Sequence, residues 1–346
     1  MAPKLEDFDY HLPKGRIAQS PMVPRNASKL MVLGDGIEHR KFYDLVDYLE
    51  KGDVLVVNNS KVLPARLFGK KATCGAVECL IVKREGSDAL CLLRGKNIRA
   101  GTRISFEDGA LTGTVKEKTD DKFIVEFDSP NLKKIIKKIG RAPTPPYIKK
   151  EANMRQYQTV YAKNDGSIAA PTAGLHFTDG LLKKIEKKGV KIANVTLHVG
   201  LGTFAPVKEN DVRKHRMESE FFKINKKDAD KINKKKGRLV AVGTTTVKTL
   251  ESACGDDGTV MPMSGPSDLF IYPGYKFKAP IDALLTNFHL PKSTLLMLVC
   301  AYAGKDEIFD AYKKAVKRKY RFYSFGDAML INHGAVSKHG VRRGFD

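Results

Sequence analysis

Three histidines of this chain share one local pattern: Gly-Leu-His176-Phe, Thr-Leu-His198-Val and Asn-Phe-His289-Leu. Each stands between apolar residues and beside Gly, Thr or Pro. In an extended chain side chains alternate faces, so the apolar neighbours turn to a core while the histidine turns the other way. At a strand end of an α/β unit, that other side is where ligands bind. Imidazole gains and loses a proton near neutral pH, so three such residues in one cleft could transfer protons. The plain alternative for any one of them is a core histidine with its nitrogens hydrogen-bonded. The stretch leading to the first, AAPTAGLHFT at 169–178, has no charged residue, although 29% of the chain is charged.

Two further stretches carry chemistry. HRMESEFF at 215–222 places His215, Glu218 and Glu220 within six residues, enough for an acid/base pair or for none. In VGTTTVKTLES, 242–252, a strand runs into a helix through three threonines. The free N–H groups of a helix start attract anions, and the hydroxyls of Thr244 and Thr245 add donors for a carboxylate or a ribose. The alternative is a simple threonine cap. No metal is expected, because the histidines have no short ligand spacing such as H-E-x-x-H. The one G-x-G here, GLG at 200–202, runs into TFAPV rather than a helix, so a dinucleotide fingerprint is absent.

The elements that must position these residues follow from the hydrophobic pattern. KFYDLVDYLEKGDVLVVNNS predicts a helix, a stop at Gly52 and a buried strand from Val54 to Val57. From Ala65 the texture changes to six short β-type runs: ARLFGKK, AVECLIVKR, ALCLLRG, RISFED, LTGTVKEK and KFIVEFD. They are split by turn signals such as EGSD and KTDD, which predicts a small antiparallel barrel or sandwich. A basic amphipathic helix, LKKIIKKIGR, and a stiff connector, PTPPYI at 143–148, close this block. Beyond residue 150, strands and helices alternate again. The expected fold is therefore α/β, with a main unit formed by 1–64 and 146–346 and an inserted β-barrel unit at 65–145. The terminal GAVSKHGVRRGFD lacks an apolar period and reads as a mobile tail.

Lys and Arg number 61 against 39 Asp and Glu, a formal net charge of +22. A surplus of that size on a globular chain points to a polyanion, although it also fits lysine-rich solvated surfaces. The basic segments LKKIIKKIGR, KINKKKGR and KKAVKRKYR suggest nucleic acid, the last with Tyr320, Phe322 and Tyr323 available for stacking. Five cysteines without a C-x-x-C pair fit a reducing compartment. The acidic residues of MAPKLEDFDY do not suit a signal peptide, and the longest apolar run, LLMLVCAYA, is too short to span a bilayer. A soluble, cytoplasmic protein with no membrane partner is expected.

Taken together, VLPARLFGKK, YQTVYAKNDGSIAAPTAGLHFT, TLHVGLGTFAPV, VGTTTVKTLES, DLFIYPGYKFK and LLTNFHLPKSTLLMLVCAYAG resemble one family. It is the S-adenosylmethionine:tRNA ribosyltransferase-isomerases of queuosine biosynthesis. The resemblance runs from DFDYHLPKGRIAQSP to YRFYSFGDAMLI, nearly the whole chain. It implies an α/β barrel-like main domain with an inserted small β-barrel. It implies that the ribosyl part of S-adenosylmethionine moves to a 7-aminomethyl-7-deazaguanine at the wobble position of tRNA. There it rearranges to epoxyqueuosine as adenine and methionine leave. S-adenosylmethionine is then a consumed co-substrate, and no cofactor is implied. The matching motifs carry His176 and His198 as proton-transfer residues, with Glu220 and His215 as second candidates. They carry Arg66, Gln158, Tyr161, Thr172, Thr244, Thr245 and His289 as substrate-binding residues.

Several positions depart from the family pattern. Glu218 stands where a second histidine is usual, Ser60 and Lys61 replace Thr and Arg, and Lys248 replaces Arg. RAPTPPYIK replaces a usual Leu-Pro-Pro-Tyr run. A lysine keeps arginine's charge but loses its bidentate fork. Two rival readings remain at this level: a non-catalytic RNA-binding protein, resting on charge alone, and another S-adenosylmethionine- or nucleoside-using enzyme on the same scaffold. The sequence is silent on oligomeric state.

Overall fold

A computed structural model of the chain describes residues 3–200, 202 and 207–332. The GAVSKHGVRRGFD tail lies outside the described residues. The main unit is built on a nine-stranded mixed sheet, and a six-stranded antiparallel sheet closes into a separate barrel. Across the main sheet the strands run Ser264–Ser267, Glu220–Lys223, Lys191–Leu197, Val54–Asn58, Leu239–Val242, Ala283–Asn287, Ala328–Asn332, Lys29–Leu33 and Ile37–Lys41.

Four neighbouring strands in the middle, from Lys191–Leu197 to Ala283–Asn287, are parallel. Val54–Asn58 sits among them with all five residues buried, and its unbroken Val-Leu-Val-Val run is what a strand covered on both faces requires. Burying one such aliphatic side chain is worth about 1.5–3 kcal/mol, so this strand anchors the polar turn that follows it. The two ends of the sheet are antiparallel. Helices Asp179–Lys187, Lys226–Asn233, Thr244–Ser252, Thr294–Ala303 and Lys305–Lys317 follow or precede the strands, as the alternation predicts. One expected helix, over KFYDLVDYLE, is instead the 3-10 turn Phe42–Tyr48, which buries Phe42 and Leu45.

All six barrel strands come from the stretch between Arg66 and Phe127, and each coincides with one of the six β-type runs. Lys122–Phe127 alternates partly and fully buried positions, the period-two pattern of a barrel wall. Leu67, Cys79, Cys91, Ile104, Phe106, Val125 and Phe127 fill the interior. The helix Leu132–Ile139 lays Leu132 and Ile136 on this core and turns its lysines outward.

Candidate functional site

The parallel strands all end on one side of the sheet, and the residues that follow them meet there. Asn58 closes Val54–Asn58 and is fully buried. Its Oδ1 accepts the N–H groups of Ser60 and Leu197, both at 3.0 Å. Its Nδ2 donates to Leu197 O at 3.0 Å and to Thr245 Oγ1 at 3.2 Å. One amide therefore ties together three loops: 58–60, 197–200 and the helix start at Thr244. Asn59 does similar work next door, accepting from Thr196 Oγ1 at 2.7 Å and Asn164 Nδ2 at 3.0 Å. The pair of asparagines directly after an apolar strand was the available signal in VVNNS, and sequence reasoning passed over it.

The helix Thr244–Ser252 starts at Gly243, which sits at φ 86° and would strain any other residue. Among the described residues no side chain caps this helix. Thr246 spends its hydroxyl on Val242 O at 2.6 Å, and the Thr245 hydroxyl receives Asn58. Among the described residues the amides of Thr244 and Thr245 have no acceptor, so the positive end of the helix is open at the strand ends.

His198 follows the strand Lys191–Leu197. Its ring lies between Gly166 and Phe221, stacked on the phenyl ring at 5.7 Å between centroids. A side chain at 166 would collide with it, since a Cβ there would come within 2.6 Å of the imidazole. Nδ1 is 2.8 Å from Ser60 Oγ, and Ser60 Oγ is 2.5 Å from Ser167 Oγ. Nε2 makes no hydrogen bond among the described residues, and the ring is only partly buried. Burial pushes its pKa down, while Asp165 opposes that shift. Residues 201 and 203–206 of the GLGTFAPV segment lie outside the described residues.

His176 and His289 have different surroundings. His176 is buried, with Nδ1 2.8 Å from Ser28 Oγ and Nε2 3.1 Å from Asn287 Oδ1, and it stacks on Phe42. Burial lowers its pKa to about 4. Both ring nitrogens are engaged, so it does not project into an open cleft. Instead it joins the 3-10 turn Thr172–His176 to Asn287 at the end of Ala283–Asn287. His289 is also buried, with Nε2 3.0 Å from Thr286 Oγ1, its amide on Tyr312 and its carbonyl accepting from Tyr10. Burial lowers its pKa to about 3. All three histidines thus lie at the same sheet end, but only His198 combines exposure with an open nitrogen.

Glu220 is buried in an ion pair with Lys248 at 3.0 Å, both side chains under a tenth exposed. Its other oxygen accepts the Gly200 N–H at 2.9 Å. It therefore holds the turn after His198. Lys248 supplies its charge partner from the second turn of Thr244–Ser252. His215 lies against Phe270 with Nδ1 3.1 Å from Glu209, and among the described residues no hydrogen bond joins it to His198. Exposed Glu218 reaches Lys122 of the barrel at 3.3 Å.

The remaining expected residues line or brace the space beside the barrel. Gln158 clamps Val62, accepting its N–H at 3.0 Å and donating to its carbonyl at 3.1 Å. Arg66 pairs with Glu78 at 3.1 Å and holds Thr144 of the Pro-rich connector. Tyr161 has a buried hydroxyl without a partner among the described residues, lying so close to Gly174 that a Cβ there would meet it at 2.0 Å. Thr172 opens the turn to His176 and is partly exposed. A cavity of about 780 Å³ is lined by Arg25, Lys61, Lys137, Arg155, Gln158 and Thr159, among others. A smaller one of about 180 Å³ adjoins it and shares Lys137 and Asp165. Asp165 is held below the usual carboxylate range by Lys137 at 2.8 Å, with Lys133 at 3.5 Å. These cavities form a basic groove between the main sheet and the helix that follows the barrel.

Among the described residues no group of three or more His, Cys, Asp or Glu could hold a metal ion. Among the described residues no helix is long and apolar enough to cross a membrane.

A polar cluster at the carboxyl ends of parallel strands, beside a basic groove, belongs to a mixed α/β protein that carries a separate six-stranded barrel. A family profile described as "Queuosine biosynthesis protein" matches residues 5–331, and the chain belongs to that family. It is 53% identical over 340 residues to a protein of Symbiobacterium thermophilum named S-adenosylmethionine:tRNA ribosyltransferase-isomerase, covering 95% of this chain and 99% of the relative. A Clostridioides difficile protein of the same name is 50% identical, with the same coverage. The crystal structure of S-adenosylmethionine tRNA ribosyltransferase from Thermotoga maritima matches with a TM-score of 0.53 at 40% identity, covering 94% of this chain and 99% of that one.

Proposed function

We propose that this chain is an S-adenosylmethionine:tRNA ribosyltransferase-isomerase and that it works at the carboxyl ends of its parallel strands. The ribosyl part of S-adenosylmethionine is transferred to the 7-aminomethyl-7-deazaguanine at the tRNA wobble position, giving epoxyqueuosine with loss of adenine and methionine. S-adenosylmethionine is consumed, so no resident cofactor is needed. The single observation that carries the siting is the Asn58 amide, which draws the His198 loop and the Thr245 helix start together.

In this reading the open helix start at Thr244 and Thr245 receives the donor's carboxylate or ribose hydroxyls. His198 meets the nucleoside through Nε2. His176 and His289 act by position: each locks a loop at the sheet end, and the proton-transfer role expected for His176 is not carried over to its buried, doubly engaged ring. Glu220 likewise shapes the turn at Gly200 rather than meeting substrate, and His215, joined to Glu209, stands outside the cluster. The tRNA, with a queuosine-type anticodon, lies along the basic groove, and the 65–145 unit forms one of its walls. Arg25, Lys61 and Lys137 then provide salt-sensitive phosphate contacts. Five free thiols and a tRNA substrate fit a cytoplasmic site of action.

The test is product identity. With S-adenosylmethionine and tRNA bearing the 7-aminomethyl base, the chain should release free adenine and leave an epoxyqueuosine nucleoside detectable by mass spectrometry. Methylated tRNA without adenine release would sink the proposal in favour of another S-adenosylmethionine enzyme. Tight tRNA binding with no turnover would favour a pure RNA-binding role.

A further inference from the structure

The hydroxyls behind His198 leave their protons little choice. Ser60 and Ser167 are both fully buried. Ser167 Oγ accepts the Val199 N–H at 2.9 Å, and among the described residues its one other hydrogen-bond partner is Ser60 Oγ at 2.5 Å. Ser60 Oγ lies between Ser167 Oγ and His198 Nδ1. Two arrangements run the three groups as one directed chain, and a third, with Nδ1–H and Ser167 both donating to Ser60, leaves the Ser60 proton without an acceptor among the described residues. In one, Ser167 donates to Ser60, Ser60 donates to Nδ1, and the ring proton sits on Nε2. In the other, Nδ1–H donates to Ser60, Ser60 donates to Ser167, and the Ser167 proton has no acceptor among the described residues. A buried donor left unpaired is costly, so the first arrangement prevails. The doubly protonated ring carries a proton on Nδ1, which leaves one of the two buried serine protons unpaired, so the same pair of serines also resists the imidazolium.

We propose that Ser167 and Ser60 act as positioning residues that fix His198 in the Nε2–H tautomer, so that it meets the nucleoside as a neutral hydrogen-bond donor. This rests on the reading that His198 contacts substrate. A neutral imidazole N–H stabilises negative charge that builds on an acceptor atom, such as a nitrogen of the departing adenine, without itself giving up its proton. Of the charged groups nearby, Asp165 is engaged by Lys133 and Lys137, and Glu220 by Lys248. Neither carboxylate is hydrogen-bonded to the ring.

The decisive experiment is 15N NMR of the histidine-labelled full chain near neutral pH, with His198 assigned through a His198→Gln variant. The proposal expects Nδ1 to resonate as the unprotonated nitrogen and Nε2 as the protonated one. A protonated Nδ1, or an imidazolium, overturns it whatever the activity data give. Kinetics add a second arm. Ser60→Ala should lower kcat by about tenfold, the weight of one lost buried hydrogen bond, and flatten the tautomer preference in the spectrum. Ser60→Thr, which keeps the hydroxyl, should restore both. His198→Gln, which retains a neutral N–H donor, should keep more activity than His198→Ala. Equal loss in the two would mean that proton transfer, not donation, is its role, and would overturn the proposal. Full activity in His198→Ala would instead overturn the siting of the substrate, while the NMR result still decides the tautomer.

Discussion

The two buried histidines make the fold acid-sensitive in a way that can be worked out in advance. In the folded chain burial holds His176 at about 4 and His289 at about 3, because the charged ring would lose its hydration. In the unfolded chain both titrate near 6.5. The folded values are depressed, so the stability these rings contribute is complete above about pH 6.5 and drains away as the pH falls towards their folded values. At about pH 4.5 the loss is about 2.5 kcal/mol from each ring, or about 5 kcal/mol together, a large part of an ordinary domain's stability. Near pH 5.5 each ring should contribute a slope of about 1.2 kcal/mol per pH unit. Urea denaturation of the wild type and of His176→Gln across this range measures that slope. The variant should be less stable at neutral pH, because Ser28 and Asn287 lose their partner, but its slope should be shallower by that amount. Identical slopes for variant and wild type would refute the account of His176 as a buried neutral ring.

Other expectations follow from single contacts. Lys248→Met leaves Glu220 buried without its charge partner and should cost about 3–5 kcal/mol in denaturation, whereas Lys248→Arg should stay within about 1 kcal/mol of wild type. Tyr161→Phe removes a buried hydroxyl that has no partner among the described residues, so the variant should be as stable as wild type or more so in denaturation, and a loss of more than about 1 kcal/mol would show a hidden partner. Binding of tRNA should weaken steeply with salt, and Lys61→Ala combined with Lys137→Ala should lower the slope of log affinity against log salt by about two, one for each phosphate contact removed.

Much of the architecture was legible because it is written in local periodicity. The six barrel strands and the buried run Val54–Val57 follow from alternation and from apolar continuity, which need no knowledge of distant residues. The antiparallel edges of the main sheet were not legible, since Glu220–Lys223 pairs with Ser264–Ser267 only after a helix, a strand and another helix intervene. The Phe42–Tyr48 segment has a helical spacing, yet the chain tightens into a 3-10 turn capped by Asp44 on the Lys41 amide. At the site, the shared pattern of the three histidines pointed to one cleft at strand ends, and all three lie at the same end of the sheet. It could not separate His198 from His176 and His289, because that difference lies in tertiary partners: Ser28 and Asn287 for one, Thr286 and Tyr312 for the other. The Glu220–Lys248 pair was hidden for the same reason, its members being 28 positions apart on different elements.

The central claim is that His198 is the histidine that meets the nucleoside at this sheet end. Adenine release by His198→Ala under single-turnover conditions, with tRNA affinity measured in parallel, tests it most directly. Loss of a preorganised donor should lower turnover by about 10²-fold or more while tRNA affinity stays within about threefold of wild type. Turnover within about threefold of wild type would contradict the claim and move the chemistry away from His198.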